Sequence, residues 1–129
     1  MATSDLVAFI RARLDHDERL ARSCPNRNWD RPALVEWLHR DAGMALVVAH
    51  HVVLHDPARV LREVAAKRRI LAEHDSMLEQ VSWTKDLLIC NRCRYDGGLD
   101  TFNWPCPTVR ALASVWSDHP DYDPAWAVE

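Results

Sequence analysis

The 129-residue sequence holds only three glycines, Gly43, Gly97 and Gly98. None of them forms the GxGxxG or GxxxxGK[ST] loops that cradle phosphates on closely approached backbone N–H groups. A GxSxG elbow and an HExxH helix are also missing, which removes the serine-hydrolase and zinc-protease signatures. The PCxxC element of the zinc deaminases fails too, because Pro105 precedes Cys106 but no cysteine follows three positions later. No apolar run approaches the roughly 18 residues of a membrane span. The stretch from Met1 to Leu14 carries charges and helical periodicity where a secretory signal would carry an apolar segment, so a cytoplasmic protein is expected. Charge of one sign is lacking as well. Sixteen Lys and Arg face nineteen Asp and Glu for a net charge of -3, which argues against a surface built wholly for nucleic acid. Internal repeats and low-complexity tracts are absent.

Apolar residues make up 48% of the chain, with six tryptophans, a composition that supports a packed core. The length suits one domain over 1–129, with an N-terminal helix and β/loop region over 1–56. A long helix, a CxxC knuckle and a C-terminal helix would follow over 57–129. Leu6, Phe9, Ile10 and Leu14 recur at helical spacing after a Ser4 cap, predicting a helix over roughly 4–22 that stops near Cys24-Pro25. A loop with Trp29 follows. Between Ala33 and Ala49, Val35 and Trp37, then Leu46 and Val48, alternate around Arg40-Asp41-Ala42-Gly43, which reads as a β-hairpin. The competing reading caps a short helix with Asp30, places Pro32 in its first turn and ends it at Gly43. Asp56-Pro57 starts the long helix, with Val60, Val64, Leu71, His74 and Leu78 on one stripe. Leu87-Leu88-Ile89 reads as a strand entering the knuckle. Cys106-Pro107 opens a helix with Val109, Leu112, Ala113 and Trp116 on its apolar face, ending before His119-Pro120. Tyr122 and Trp126 are expected to pack back from the tail. The fold class is therefore mainly α, with a minor β-hairpin and a C-terminal zinc knuckle.

Four cysteines in a reducing compartment favour metal ligation over disulfides. Cys90-x2-Cys93 lets two sulfurs converge from a tight turn, and Cys106 returns at a helix start whose dipole favours a thiolate. A closed structural zinc site needs a fourth donor. His74, on the buried stripe, is preferred, with His119 and Cys24 as rivals and an open fourth position as the remaining case. Simple burial of the cysteines, or a redox-active Cys90/Cys93 pair, competes with this reading. A structural zinc would contribute on the order of 10–16 kcal/mol of apparent folding energy, so its removal should unfold at least the C-terminal third.

His51 and His55 sit at i, i+4 beside His50, a spacing that can begin a second metal site or simply hold the Asp56 turn. Residues 57–94 carry eight Lys/Arg against five Asp/Glu, and residues 95–129 carry one against six. Arg59, Arg62, Lys67, Arg68, Arg69, Arg92 and Arg94 could contact phosphates, although the same residues serve equally as a solvated helix face. An enzyme is disfavoured. A three-ligand zinc with Asp96, Asp100 or His119 as base would be needed for hydrolysis. Binding through a protein partner or a second copy of the chain is the preferred reading, with nucleic acid as the alternative and no membrane.

The run from His51 to Val64, then Ala66-Lys67-Arg68-Arg69-Ile70-Leu71 with His74, resembles a small actinobacterial and actinophage family, domain-of-unknown-function family 6221. Trp104-Pro105-Cys106-Pro107-Thr108-Val109-Arg110-Ala111-Leu112-Ala113, then Asp118-His119-Pro120-Asp121-Tyr122, is similar to its C-terminal signature. Leu14-Asp15-His16-Asp17-Glu18 is similar to its opening. The likeness is weakest over about 23–50, where Asn28-Trp29 replaces the usual Gly-Pro-Trp. The resemblance brings no activity, substrate or catalytic residue. It implies a bacterial or phage cytosolic setting, groups His74 with Cys90, Cys93 and Cys106, and points to modulation of a host protein.

Overall fold

The computed structural model describes residues 2–25, 31–82, 85–93 and 104–128. Five helices and a two-stranded antiparallel hairpin account for most of them. In chain order these are α1 (Ala2–Ser23), α2 (Arg31–Arg40), α3 (Leu46–Leu54), α4 (Pro57–Glu73), β1 (Ser76–Ser82), β2 (Lys85–Cys90) and α5 (Pro107–Ser114), followed by a 3-10 turn over Pro124–Trp126. Contacts cluster into two compact units, one of residues 1–15 with 66–129 and one of residues 16–65.

In the first unit, α1 turns Leu6, Phe9, Ile10 and Leu14 inward, all of them buried, as their i, i+3, i+4 spacing requires. The helix begins at Ala2, so Ser4 lies within it and not at its cap. Phe9 is the hub of an aromatic cluster. Its ring centroid lies 5.3 Å from Trp126, 6.0 Å from Tyr122 and 6.5 Å from Trp116, edge-on or tilted as aromatic quadrupoles favour. The tail thus packs back as its aromatics predict. Asp123 Oδ1 accepts the Ala125 N–H at 2.9 Å, and the Arg110 guanidinium donates to the carbonyls of Trp126 and Ala127.

The hairpin aligns Ser76 with Cys90, Met77 with Ile89 and Leu78 with Leu88, with an irregularity between Gln80 and Ser82. Leu78 departs from the helical stripe assigned to it, because α4 ends at Glu73 and Leu78 stands on β1, 66% exposed. Val64 and Leu71 are buried as expected. In α5, Pro107 occupies the first turn, Cys106 is the N-cap residue, and Val109 and Ala113 face inward.

In the second unit, the hairpin expected over 33–49 is two helices. Strand alternation would put Val35 and Trp37 on one face, yet Val35 is 8% and Trp37 54% exposed, as 100° per residue demands. Val35, Ala49 and Val53 form the buried contact between α2 and α3, flanked by Leu34, Leu38 and Met44. The turn between them passes through Gly43 at φ +70°, a left-handed conformation that disfavours side chains. It closes with the Met44 N–H on Leu38 O at 2.9 Å and the His39 ring on Met44 O at 2.8 Å. Asp30, Trp29 and the Asn28-Trp29 departure lie outside the described residues, as do Trp83, Gly97 and Gly98. The cap expected at Asp56 is present. Its Oδ1 accepts the Arg59 N–H at 2.7 Å and its Oδ2 lies 3.6 Å from Arg31. A carboxylate at a helix N-terminus satisfies an otherwise unpaired donor there.

Replacing Phe9 by Ala removes the hub of the tail cluster and is expected to cost about 3–5 kcal/mol. Leu20→Ala, at a 61% exposed position of the same helix, should stay within about 0.5 kcal/mol. Urea unfolding of the two variants reads the difference, and equal costs would refute the packing assignment.

Candidate metal centre

Backbone pairing brings four separated residues together. The β1/β2 ladder sets Ser76 opposite Cys90, and the Asn91 N–H donates to Asp75 O at 2.8 Å. This fixes the CxxC turn beside the residue that follows His74. The Trp104 N–H donates to Leu88 O at 3.0 Å, laying the approach to Cys106 along β2. The His74 N–H still bonds Ile70 O at 3.1 Å, so His74 is held as a continuation of α4. Four side chains therefore arrive from the end of α4, the end of β2, the turn beyond it and the start of α5.

The His74 Nδ1 lies 3.5 Å from Cys90 Sγ, 3.5 Å from Cys93 Sγ and 3.6 Å from Cys106 Sγ. All four donor atoms fall within 4.8 Å of one another. One imidazole nitrogen has one lone pair and cannot accept from three thiols at once. A zinc tetrahedron with bonds of about 2.3 Å to sulfur and about 2.05 Å to nitrogen has N···S edges of about 3.55 Å. The observed spacings match that edge. Among the described residues this is the one group of three or more His, Cys, Asp or Glu side chains able to hold a metal. All four cysteines are free thiols. Cys90 and Cys106 are fully buried and Cys93 is partly exposed.

Without a cation, Cys93 and Cys106 resist ionisation. The Cys93 thiol is pushed up from an ordinary 9.0 to about 12, first by burial, then by its hydrogen bond with Cys90 and the charge of Cys106. Burial also raises Cys106, against a smaller opposing pull from the Val109 N–H. The helix start therefore does favour the thiolate, as its dipole suggests, but burial outweighs it. A divalent ion reverses the balance by ligating the thiolates directly.

The rival fourth ligands are engaged elsewhere. Cys24 Sγ lies 3.5 Å from Leu20 O. His119 contacts the Arg13 guanidinium and accepts the Asp121 N–H at 3.1 Å. Asp96 and Asp100 lie outside the described residues. Sequence reasoning did not single out which imidazole nitrogen turns inward, nor the Asn91–Asp75 and Trp104–Leu88 backbone bonds, since nothing in their residue types marks them.

The basic residues are dispersed among partners. Arg59 bonds Glu63 at 2.9 Å, and Arg68 bonds Asp15 at 2.6 Å. Lys67 stands 5.4 Å over the Trp116 ring, and Arg92 lies 3.9 Å from Glu73. Arg69 and Arg92 line a groove of about 490 Å³ with Ala66, Ile70, Glu73 and His74. Arg62 is exposed, and Arg94 lies outside the described residues. No helix among the described residues is long and apolar enough to cross a membrane.

The model of a family of unknown function, DUF6221, matches residues 3–128, and the chain belongs to that family. No curated protein and no solved structure matches it.

A Cys93 thiol whose pKa is raised in the folded, metal-free chain favours the folded state while protonated. That stability is present below the unfolded value near 9.0 and is lost as pH climbs toward about 12. Thermal melts of the chelator-treated chain should therefore fall in this window relative to the metal-loaded chain, whose thiolates are already neutralised by the ion. In acid the two forms converge, because protons compete for up to three thiolates and apparent metal affinity drops by as much as about three orders of magnitude per pH unit. Parallel profiles for the two forms would contradict the assignment.

Proposed function

We propose that His74, Cys90, Cys93 and Cys106 hold one structural zinc, and that the chain is a small cytoplasmic binding module acting through a protein partner. The observation that carries the metal reading is the tetrahedral N···S spacing around His74 Nδ1. Three sulfurs and one imidazole form a borderline-soft set suited to zinc, and four protein donors leave no position for a substrate or an activated water. This favours structure over hydrolysis. The zinc would neutralise the three thiolates and tie the end of α4, the hairpin and α5 together.

The binding role rests on α3. Its sequence, Leu-Val-Val-Ala-His-His-Val-Val-Leu, contains no Asp, Glu, Lys or Arg. A helix apolar on all sides is normally covered on all sides. Here Ala49 and Val53 are buried, while Leu46, Val47, Val48, Val52 and Leu54 are exposed, with Trp37 of α2 exposed as well. A cluster of aliphatic side chains and a tryptophan facing solvent is the composition of an interface core. Nucleic acid is the weaker reading, since Arg59, Lys67, Arg68 and Arg92 each have a partner within the chain.

Elemental analysis of the purified chain is expected to give one zinc per chain, lost or strongly weakened in Cys90→Ser, Cys106→Ser and His74→Ala. Zinc retained unchanged in His74→Ala would overturn the closed site. For the binding role, a benzophenone amino acid replacing Val47 should give discrete covalent protein adducts in cells, while the same probe at exposed Arg19 should not. Equal labelling at both positions, or none at 47, would overturn that role.

A further inference from the structure

His51 of α3 and His55, the residue at its C-terminal cap, stand beside the exposed apolar side chains of that helix and are not part of the four-donor centre. The two rings stand 4.4 Å apart between centroids with an interplanar angle of 37°, and both residues are exposed. His55 Nδ1 lies 2.8 Å from the carbonyl oxygen of His51. A carbonyl oxygen can only accept, so Nδ1 carries the proton and the Nε2 lone pair is left free. An imidazole with one nitrogen tied to a backbone carbonyl and the other free is the arrangement metal-binding histidines show. Two histidine nitrogens around one zinc would lie about 3.3 Å apart at bond lengths of about 2.0 Å. The ring centroids of such a pair would stand about 5.1 Å apart, so the two exposed rings, now 4.4 Å apart, must rotate slightly to take up one ion.

Two histidines are half of a tetrahedral donor set. We infer that α3 is a metal-bridged homodimer face, on which His51 and His55 of one chain and the same pair of a second copy hold one divalent zinc-type cation. This rests on the reading of α3 as a protein-binding surface and names the partner. Three observations favour a second copy over other occupants. Helix α3 has no charged side chain, so a two-fold axis laid across it brings no like charges together. Val47, Val48, Val52 and Leu54 are exposed on the same short helix and would be covered by the same helix of the second chain, as an isologous interface requires. The half-complete donor set is completed by that symmetry with no other source of ligands. Nearby charges are already committed: Asp56 caps α4 and faces Arg31, and Arg59 bonds Glu63 and the Leu54 carbonyl.

The test uses the full chain loaded with its first equivalent of zinc, then given further zinc while molar mass is followed by light scattering after size exclusion. The expected result is a doubling of mass as bound zinc rises from one per chain to about three per two chains. A mild chelator that spares the first site should reverse it. His51→Gln and His55→Gln should keep the first zinc and the helical circular dichroism but lose the mass shift. Dimers forming equally well in both variants, or no zinc bound beyond the first equivalent, would overturn the bridge. The Val47 cross-link separates the two readings. Chain-to-chain adducts that persist with chelator and in His55→Gln would leave the protein-binding surface standing and remove the metal bridge. Absence of any adduct at position 47 would remove the surface itself.

Discussion

Three thiols and an imidazole drawn within 4.8 Å of one another are a costly arrangement for a protein to hold without a cation. Burial raises the Cys93 and Cys106 thiols, and charge on a neighbouring sulfur raises each of them further. The elements that meet there have little independent stability. A two-stranded hairpin is marginal in water, and α5 has eight residues, below the length at which an isolated helix persists. The same cluster that disfavours charge in the empty chain can therefore bind these weak elements once an ion neutralises it. The aromatic hub around Phe9 supplies the complementary part, fixing the tail and α1 by burial and involving no ligation.

What was readable in the sequence was what is local. Asp56-Pro57 and Cys106-Pro107 announce helix starts because cap and proline act within one turn, and both helices begin there. His74 is readable because it extends the α4 stripe, whereas Leu78 shares that spacing but stands on β1. Periodicity cannot register that the chain leaves the helix after Glu73 and turns into β1. The strand over Leu87–Ile89 was visible as an apolar run, but its partner, Ser76–Ser82, mixes polar and apolar residues and is defined by cross-strand hydrogen bonds.

The error over residues 33–49 has a different cause. Four valines at 47, 48, 52 and 53 give α3 a strand-like composition, and alternation at Val35/Trp37 and Leu46/Val48 agrees with it. The deciding features were the i, i+4 pairs Leu34/Leu38 and Ala49/Val53 and the left-handed Gly43. They favour a helical pair whose inner faces meet. β-propensity largely measures how a side chain fits a half-buried surface. Here the valines fit against α2 or remain open to solvent.

That open surface bears on stability as well as recognition. The core shared by α2 and α3 has three buried residues, Val35, Ala49 and Val53, with Leu34, Leu38 and Met44 at its margin. A core of that size supplies little beyond the chain entropy of ordering two helices. Covering Leu46, Val47, Val48 and Val52, all partly or largely exposed, would remove from water an aliphatic surface comparable to that of those three buried side chains. Whatever binds this face therefore also stabilises the α2–α3 pair, because a ligand of the folded state shifts folding by mass action. Occupancy of the surface and order of the helices that form it are then one equilibrium, and a substitution that weakens α2–α3 packing should lower partner affinity even when it touches no partner atom.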